Sequence, residues 1–307
     1  MDELLIICNP TAGEGRAERL WTSFTGELHQ RQLPFTAELT RHPGHATTLA
    51  RAAVKRGVPR LAVFGGDGTL NEALQGMFTD DGATTDTGLT FLEAGSSCDF
   101  AKLFPRRSHL DRLLAGEEQR IDVCRVDCRD DSGEPASRYF LNNSSIGVIS
   151  LANQKFNAHG GMVRLLKRLN VDMGAVASGL WALARFDPLA GQLTVDNSPA
   201  AQIRFSNLTV FKSPYFGGGM HYGTATRLDD GILYVAMIGA ASRLRLLTML
   251  PALYTGKILQ KKAARLEICR ALNLDSQDRG YVETDGETAG FPPARYTIME
   301  RALRVIM

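Results

Sequence analysis

Length, composition and charge limit the classes of protein to which this chain can belong. It has 307 residues, of which 44% are hydrophobic and 22% are charged, and these fractions exclude a disordered, collagen-like or coiled-coil chain. Its 35 basic and 33 acidic residues leave a net charge of +2, which is too balanced to indicate a nucleic-acid partner. At about 150 residues per domain, the length predicts two domains.

The N-terminus and the hydropathy pattern indicate the cellular location of the protein. The acidic start lacks the basic and apolar regions of a signal peptide, and the sequence has no uncharged apolar run of about 18 residues. We therefore expect a cytoplasmic protein, with at most peripheral contact with the inner face of the membrane.

Residues 1–122 alternate between strand and helix patterns. Short apolar runs ended by glycine or proline predict strands, and apolar residues three and four apart predict helices. The predicted strands are Leu4–Cys8, Phe35–Leu39, Leu61–Phe64 and Leu89–Leu92, and the predicted helices are Leu20–Leu28, Ala46–Val54 and Leu70–Met77. This alternation predicts an α/β domain, built on a parallel sheet with helices on both faces.

From residue 123 onward the pattern is rich in strands. The predicted strands are Val123–Val126, Tyr139–Asn142, Gln192–Val195, Ile203–Phe211 and Leu233–Ile238. Helices are predicted around Gly161–Leu169, Val176–Phe186 and Arg243–Leu253. We expect a β-rich second domain over residues 123–307, and the pattern leaves open whether the final residues return to the first domain.

The strongest chemical signal is Gly-Gly-Asp-Gly-Thr at residues 65–69, here called the glycine run, between a predicted strand and a predicted helix. Glycines allow a tight turn and close approach to a ligand, and a helix N-terminus favours phosphate. Thr69 and Glu72 have the spacing of a capping box, which predicts that the helix begins there. Asp67 repels a phosphate unless it holds a metal ion or a proton. The simpler alternative is a tight turn capped by this aspartate.

Two further loops of small residues, Asn9–Arg16 and Gly95–Lys102, follow the first and fourth predicted strands. Ligands of open parallel sheets bind beyond the carboxyl ends of the strands. The glycine run is neither a P-loop, which ends in Gly-Lys-Ser/Thr, nor a dinucleotide fingerprint, whose glycine spacing differs. The three loops together predict one nucleotide site.

These motifs resemble the catalytic domain of diacylglycerol kinases and sphingosine kinases, and most closely the bacterial soluble lipid kinases. The resemblance rests on Asn9–Gly13, the glycine run with Asn71-Glu72, Pro214–Met220, Asp229–Leu233 and Asp285–Glu287. It departs at Cys98, where the family has asparagine in the motif Gly-Thr-x-Asn-Asp-Phe-Ala. The resemblance implies a phosphofructokinase- or NAD-kinase-like α/β domain followed by a β-rich, sandwich-like domain.

In that family ATP binds between the domains, and its terminal phosphate passes to a lipid hydroxyl. The resemblance implies nucleotide contacts at Asn9, Thr40, Gly65, Gly66, Asp67, Gly68, Thr69, Leu70, Asn71 and Ser96. It also implies Glu287 as the general base, with Asp285 and Asp67 as metal or base partners. A plain hairpin turn is the alternative for Asp285-Gly286.

The family also holds Mg²⁺ with an aspartate side chain and two backbone carbonyls. The corresponding residues of this chain are Asp230 for the side chain and Arg227 and Ile232 for the carbonyls. Oxygen ligands of this kind suit Mg²⁺. The alternative for Asp229–Gly231 is a plain β-turn, because aspartate and glycine favour turns.

A lipid substrate calls for a way onto the membrane. Basic residues alternate with apolar ones between Arg243 and Arg270, and again between Gly161 and Leu169. Such segments suit an anionic membrane surface. The alternative is a set of helices that bury their apolar faces in the core and expose their charges.

Three functions compete on this basis. The first is an ATP- and Mg²⁺-dependent lipid kinase acting on diacylglycerol, ceramide, a sphingoid base or another lipid alcohol. An NAD kinase shares the Gly-Gly-Asp-Gly loop, but the Asn9-Pro10 loop and the Asp285–Glu287 motif favour the lipid kinase. Cys98 alone favours a non-catalytic nucleotide- or lipid-binding regulator. The sequence leaves the oligomeric state open, a dimer included.

Overall fold

The computed structural model describes residues 3–78, 85–157 and 171–307. The chain divides into two compact units: unit 1 is Met1–Val123 with Glu300–Met307, and unit 2 is Cys124–Met299. The final residues thus return to the first unit. The helix predicted at Gly161–Leu169 lies outside the described residues.

Unit 1 is built on a parallel sheet. Its strands are β1 (Leu4–Cys8), β2 (Thr36–Leu39), β3 (Arg60–Gly65) and β4 (Gly88–Glu93). They lie in the order β2-β1-β3-β4, and Val305 near the end of the chain pairs in parallel with Leu89 of β4. Nearly every side chain of β1 and β3 is buried, as expected where helices cover both faces of a sheet.

Helices pack against this sheet through apolar side chains at helical spacing. They are α1 (Arg16–Gln30), α2 (His45–Lys55), α3 (Asp67–Met77) and α4 (His109–Ala115). Helix α1 buries Phe24 and Leu28, and Phe24 stacks on Phe64 of β3 with 5.6 Å between ring centroids. The predicted α/β architecture is confirmed. Helix α4 was not predicted because its buried pair, Leu110 and Leu113, spans too short a segment to give a clear period.

Unit 2 consists mainly of antiparallel strands. The strands that follow β4 in the chain lie in unit 2, except that β5 begins in unit 1 and β16 ends in it. They are β5 (Glu118–Arg129), β6 (Pro135–Phe140), β7 (Asn143–Gly147), β8 (Leu189–Val195), β9 (Ala201–Phe211), β10 (Tyr215–Phe216), β11 (Met220–His221), β12 (Leu233–Gly239), β13 (Ala264–Cys269), β14 (Ala271–Asp275), β15 (Val282–Thr284) and β16 (Glu287–Ile306). Six of them pair in a closed circuit, β7-β9-β8-β14-β16-β15, and β15 pairs back with β7. Each strand of the circuit pairs with two others, and β9 and β16 use different segments for their two partners.

The circuit encloses an apolar core, and helices cover a second one. Side chains such as Ile146, Leu208 and Tyr296 fill the first core. The helices are α5 (Val148–Asn157), α6 (Val171–Arg185) and α7 (Arg243–Tyr254), and α7 packs Leu246 and Met249 into the second core. The prediction of a β-rich, sandwich-like second domain is confirmed.

Gly76 of α3 lies directly against the backbone of α2, and Gly76→Ala tests that packing. An added Cβ would lie 2.2 Å from the carbonyl oxygen of Thr47 and 2.9 Å from the Cβ of Ala50. We expect the free energy of unfolding to fall by about 2 kcal/mol, because overpacking costs about 1–3 kcal/mol. Urea unfolding measures this change.

The matched control is Gly26→Ala in α1. Among the described residues nothing lies within 4 Å of a Cβ added there, so alanine should stabilise the helix by about 0.5–1 kcal/mol. If the free energy of unfolding changes by the same amount in the same direction in both variants, the packing of α2 against Gly76 does not limit the residue at that position.

Candidate active site

The loops that follow β1, β3 and β4 meet at one edge of the unit 1 sheet. The Asn9 Nδ2 donates to Thr69 Oγ1 at 2.9 Å, which joins the first loop to the start of α3. The Asp67 carboxylate accepts the backbone N–H groups of Asp99 at 2.9 Å and Phe100 at 3.2 Å, which joins α3 to the loop after β4. The structure therefore brings together the three loops that the sequence singled out.

Glycine at two positions makes this convergence possible. A Cβ added to Gly95 would lie 2.4 Å from the Cα of Gly66, and a Cβ added to Gly13 would lie 2.8 Å from the carbonyl oxygen of Ala94. Larger residues would force these loops apart. Gly13 also has a φ of +59°, a backbone conformation that other residues adopt at a cost.

The helix after the glycine run begins earlier than its capping-box spacing predicts. Helix α3 starts at Asp67, and no side chain caps it. Thr69 instead accepts its hydrogen bond from Asn9, and Glu72 Oε2 accepts the backbone N–H of Ala46 at 3.3 Å. The capping-box prediction is wrong because both side chains bond to neighbouring segments. The first turn of α3 therefore lies within the glycine run, where its N–H groups and dipole favour an anion.

The remaining predicted nucleotide contacts differ in exposure. Thr40 follows β2 directly, and its N–H donates to a carbonyl oxygen of β1 at 2.8 Å. Ser96 is exposed in the loop after β4. Leu70 and Asn71 lie on the buried face of α3, at 2% and 5% exposure. Thr40 and Ser96 thus share the loop edge of the sheet with the glycine run, whereas Leu70 and Asn71 are almost fully buried.

Cys98 has left-handed backbone, with a φ of 48°. Asparagine, the residue that the resemblance implies at this position, tolerates this conformation better because its side chain can hydrogen-bond locally. The Cys98 Sγ lies 3.9 Å from the carbonyl oxygen of Gly65. Burial, and then the charge of Asp67, raise the pKa of the Cys98 thiol to about 12. The thiol is therefore protonated at neutral pH.

In unit 2, Asp285-Gly286 forms the two-residue turn between β15 and β16. The two residues have φ values of 48° and 93°, and Thr284 pairs with Glu287 across the turn. The hairpin interpretation is therefore correct for the backbone, and both central residues have the positive φ typical of such turns. Glu287 begins β16 with an exposed side chain.

The Asp285 carboxylate is held by backbone amides of unit 2. It accepts the N–H groups of Leu141 at 3.1 Å and of Asn142 and Asn143 at 3.0 Å. Leu141 and Asn142 lie in the bend between β6 and β7, and Asn143 begins β7, so the strand predicted over Tyr139–Asn142 is wrong at its last two residues. Three charge-assisted hydrogen bonds fix the orientation of this carboxylate.

Glu283, in the middle of β15, is a buried carboxyl group that the sequence analysis missed. Its Oε2 accepts the N–H of Gly286 at 2.8 Å. Burial raises the pKa of Glu283 to about 8, against the opposing effect of that hydrogen bond. The group is therefore mainly protonated at neutral pH. The available signal was an acidic residue within a short strand that precedes a hairpin turn.

The predicted metal ligands lie in the loop of residues 227–232, which precedes β12. The Asp230 Oδ1 accepts Lys212 Nζ at 2.5 Å and the Ile232 N–H at 3.1 Å. The Asp230 Oδ2 accepts the Tyr234 hydroxyl at 2.6 Å. Burial raises the pKa of Asp230, but the hydrogen bonds from Lys212 and Tyr234 outweigh it and lower that pKa below its usual value.

Lys212 determines how well this loop suits a divalent cation. Its fully buried ammonium is bonded to the Asp230 carboxylate and to the carbonyl oxygen of Ile232 at 2.9 Å, and these are two of the three expected ligands. Arg227, the source of the third, places its guanidinium 3.3 Å from Asp229. In this arrangement the residues do not fit Mg²⁺. In the described part of the chain, no group of three His, Cys, Asp or Glu side chains is placed to hold a metal ion.

The basic and apolar segment Arg243–Arg270 forms α7, a short 3₁₀ helix at Ile258–Gln260 and strand β13. In α7, Met249 and Leu253 are buried, as the core interpretation predicts. Leu244 and Leu247 of the same helix are 73% and 42% exposed. In the described residues no helix is long and apolar enough to cross a membrane.

Cys98→Asn tests the backbone strain in the loop after β4. We expect the free energy of unfolding to rise by about 1 kcal/mol, because asparagine adopts the left-handed conformation at lower cost. Cys98→Ser, which has a similar size without that preference, is the control. If Cys98→Asn and Cys98→Ser unfold at the same urea concentration, backbone strain at position 98 does not lower the stability of the protein.

The raised pKa of Glu283 predicts a pH-dependent stability. Between about pH 5 and 8 the folded protein keeps this proton and the unfolded chain releases it, so stability falls as pH rises, by roughly 1 kcal/mol per unit. Glu283→Gln, which mimics the neutral acid, should flatten this slope in urea titrations. Glu134→Gln, an exposed site in the same unit, should keep it. A wild-type stability that stays level over this range would contradict the prediction.

Comparison with known proteins supports the resemblance along nearly the whole chain. The diacylglycerol kinase catalytic domain model matches residues 3–126, and the YegS C-terminal NAD kinase beta sandwich-like domain model matches residues 145–307. A diacylglycerol kinase of Mycobacterium tuberculosis is 25% identical, with 98% of this chain and 93% of that protein covered.

Solved structures share the fold. A diacylglycerol kinase from Bacillus anthracis has a TM-score of 0.70 at 18% identity, over 99% of this chain and 96% of that one. An NAD kinase from Archaeoglobus fulgidus, in complex with ATP, has a TM-score of 0.52 at 12% identity, over 99% and 93%. At these identities the structures establish the fold alone. From its two matched domains and the order of its motifs, the chain belongs to the diacylglycerol kinase catalytic domain family, with a YegS-type C-terminal domain.

Proposed function

We propose that this chain is a lipid kinase that transfers the γ-phosphate of Mg²⁺-bound ATP to the hydroxyl of diacylglycerol or a related lipid alcohol. The observation that carries the proposal is the convergence of the loops after β1, β3 and β4 at the N-terminus of α3. Family membership and the names of the relatives supply the reaction class.

Unit 1 is suited to hold the nucleotide. Phosphates would lie against the glycine run, where three glycines leave room and the N–H groups at the start of α3 favour an anion. Asn9, Thr40 and Ser96 lie around this edge and would contact the remainder of the nucleotide. Mg²⁺ arrives as part of the co-substrate and neutralises phosphate charge, which relieves the repulsion between Asp67 and the phosphates.

Unit 2 is suited to handle the acceptor. Glu287 is the proposed general base, because its carboxylate is exposed and starts a strand that is fixed by the Asp285-Gly286 turn. It accepts the proton of the lipid hydroxyl while that oxygen bonds to the γ-phosphorus and the bond to ADP breaks. Asp285 acts as a positioning residue, because three amides already hold its carboxylate.

Contact with the lipid would occur at a membrane surface. Leu244 and Leu247 are exposed on α7, and Arg243 and Arg245 belong to the same helix. Exposed apolar side chains beside basic ones suit the interface of an anionic bilayer. We therefore propose peripheral membrane contact through this helix.

The test is transfer of labelled γ-phosphate from ATP, with and without Mg²⁺, to a panel of lipids in mixed micelles and, separately, to NAD. We expect label in one class of lipid alcohol. Glu287→Gln should lower the rate about 10²–10⁴-fold, the usual contribution of a general base. Glu134→Gln, an exposed carboxylate in the same unit, is the control and should leave the rate unchanged.

The alternatives give different results in the same experiment. Label in NAD alone would make the chain an NAD kinase, a function compatible with the shared fold. ATP binding without transfer to any acceptor would support the regulator. For the membrane contact, Leu244→Ser should slow phosphorylation of lipid in anionic vesicles and leave a short-chain soluble analogue unaffected. Equal effects on both substrates would contradict the membrane role of α7.

A further inference from the structure

Lys212 is an unusual residue for its position. It follows β9 directly, its side chain is fully buried, and its backbone N–H donates to the carbonyl oxygen of Asn142 at 2.9 Å. A buried ammonium is costly unless it is paired and hydrogen-bonded. Its partners are the Asp230 carboxylate at 2.5 Å and the Ile232 carbonyl oxygen at 2.9 Å, and the ring of Tyr234 lies 5.8 Å away.

The ammonium and a divalent cation compete for the same oxygens. Mg²⁺ binds oxygen ligands at about 2.1 Å, so a cation held by Asp230 and Ile232 would occupy nearly the position of Lys212 Nζ. The Lys212 ammonium and a divalent cation placed so close together would repel each other strongly, because the site is buried. The lysine and the metal therefore exclude each other at this site.

The other charges of the loop are also balanced within the chain. The second oxygen of the Asp230 carboxylate accepts the Tyr234 hydroxyl at 2.6 Å. The neighbouring carboxylate, Asp229, pairs with the Arg227 guanidinium at 3.3 Å. Each aspartate of the loop thus pairs with a cationic side chain of the same chain. These side chains neutralise the carboxylates, as a bound metal ion would.

We propose that the Lys212 ammonium is a built-in replacement for the divalent cation that the family resemblance implies in the 227–232 loop. Unit 2 then orders this loop without a metal ion, and removal of the lysine side chain creates a divalent-cation site at Asp230. The proposal concerns the cation of unit 2 alone and stands apart from the Mg²⁺ that accompanies ATP.

The first test uses wild-type protein without nucleotide. Its unfolding temperature should be the same in EDTA and in excess Mg²⁺ or Mn²⁺. The proposal is overturned if either metal raises the unfolding temperature of the wild type and Asp230→Asn abolishes that rise. This measurement does not depend on the folding of any lysine variant, and its outcome is independent of whether the chain phosphorylates lipids.

The second test is Lys212→Ala. In EDTA its unfolding temperature should fall by about 10 °C, because the variant leaves a buried carboxylate without its partner. Mn²⁺ should restore part of that loss, and electron paramagnetic resonance should show one more bound Mn²⁺ per chain than in the wild type. The double variant Lys212→Ala/Asp230→Asn should lose both effects.

The matched control is Lys257→Ala, which removes an exposed lysine of the same unit. It should bind no additional Mn²⁺ and should unfold at the wild-type temperature. Absence of both Mn²⁺ rescue and the additional bound Mn²⁺ in a folded Lys212→Ala protein would contradict the proposal.

Discussion

The close contact between the backbones of Gly66 and Gly95 is the constraint on which the candidate nucleotide site depends. A Cβ at Gly95 would lie 2.4 Å from the Gly66 Cα, so only glycine lets the loops after β3 and β4 touch. That contact allows the Asp67 carboxylate to reach the amides of Asp99 and Phe100. The start of α3, the glycine run and the third loop are therefore joined directly to one another at the carboxyl edge of a parallel sheet.

Lys212, Asp285 and Glu283 are ionisable groups of unit 2 that lie wholly or partly away from water, and each is accommodated by a different means. Lys212 is paired with a carboxylate, and Asp285 is surrounded by backbone amides. Glu283, enclosed in a short strand, remains protonated because burial raises its pKa to about 8. These means follow from one rule, since a charge removed from water needs a counter-charge, several hydrogen bonds or a proton.

The same rule separates carboxylates that the fold holds with several donors from carboxylates that remain exposed. Asp285 and Asp230 have several hydrogen-bond donors each, and these donors fix their orientation. Glu287 is exposed, and the glycine run has few side chains to block a ligand. A carboxylate in a family motif is therefore not by itself catalytic. Its hydrogen-bond partners determine whether it positions the backbone or contacts a reacting atom.

The sequence alone determined the architecture and the places where the loops occur. Short apolar runs predicted the strands of unit 1, and apolar residues three and four apart predicted its helices. Glycine and proline marked the turns between them. These signals are local, because sterics and burial act over a few residues. The motif order also determined the family. Residues 65–69 and 285–287 are recognisable from their residue types and spacing alone.

Only the tertiary structure decided what individual side chains do. Helix α3 starts at Asp67, earlier than the capping-box spacing predicts, because Thr69 and Glu72 form hydrogen bonds with segments that are distant in the sequence. The tertiary structure also placed Lys212 against Asp230, a pairing that joins residues 18 positions apart with no period or motif to mark it. Periodicity and motifs report on local chain geometry, whereas the pairing of buried charges depends on which distant segments the folded chain brings together.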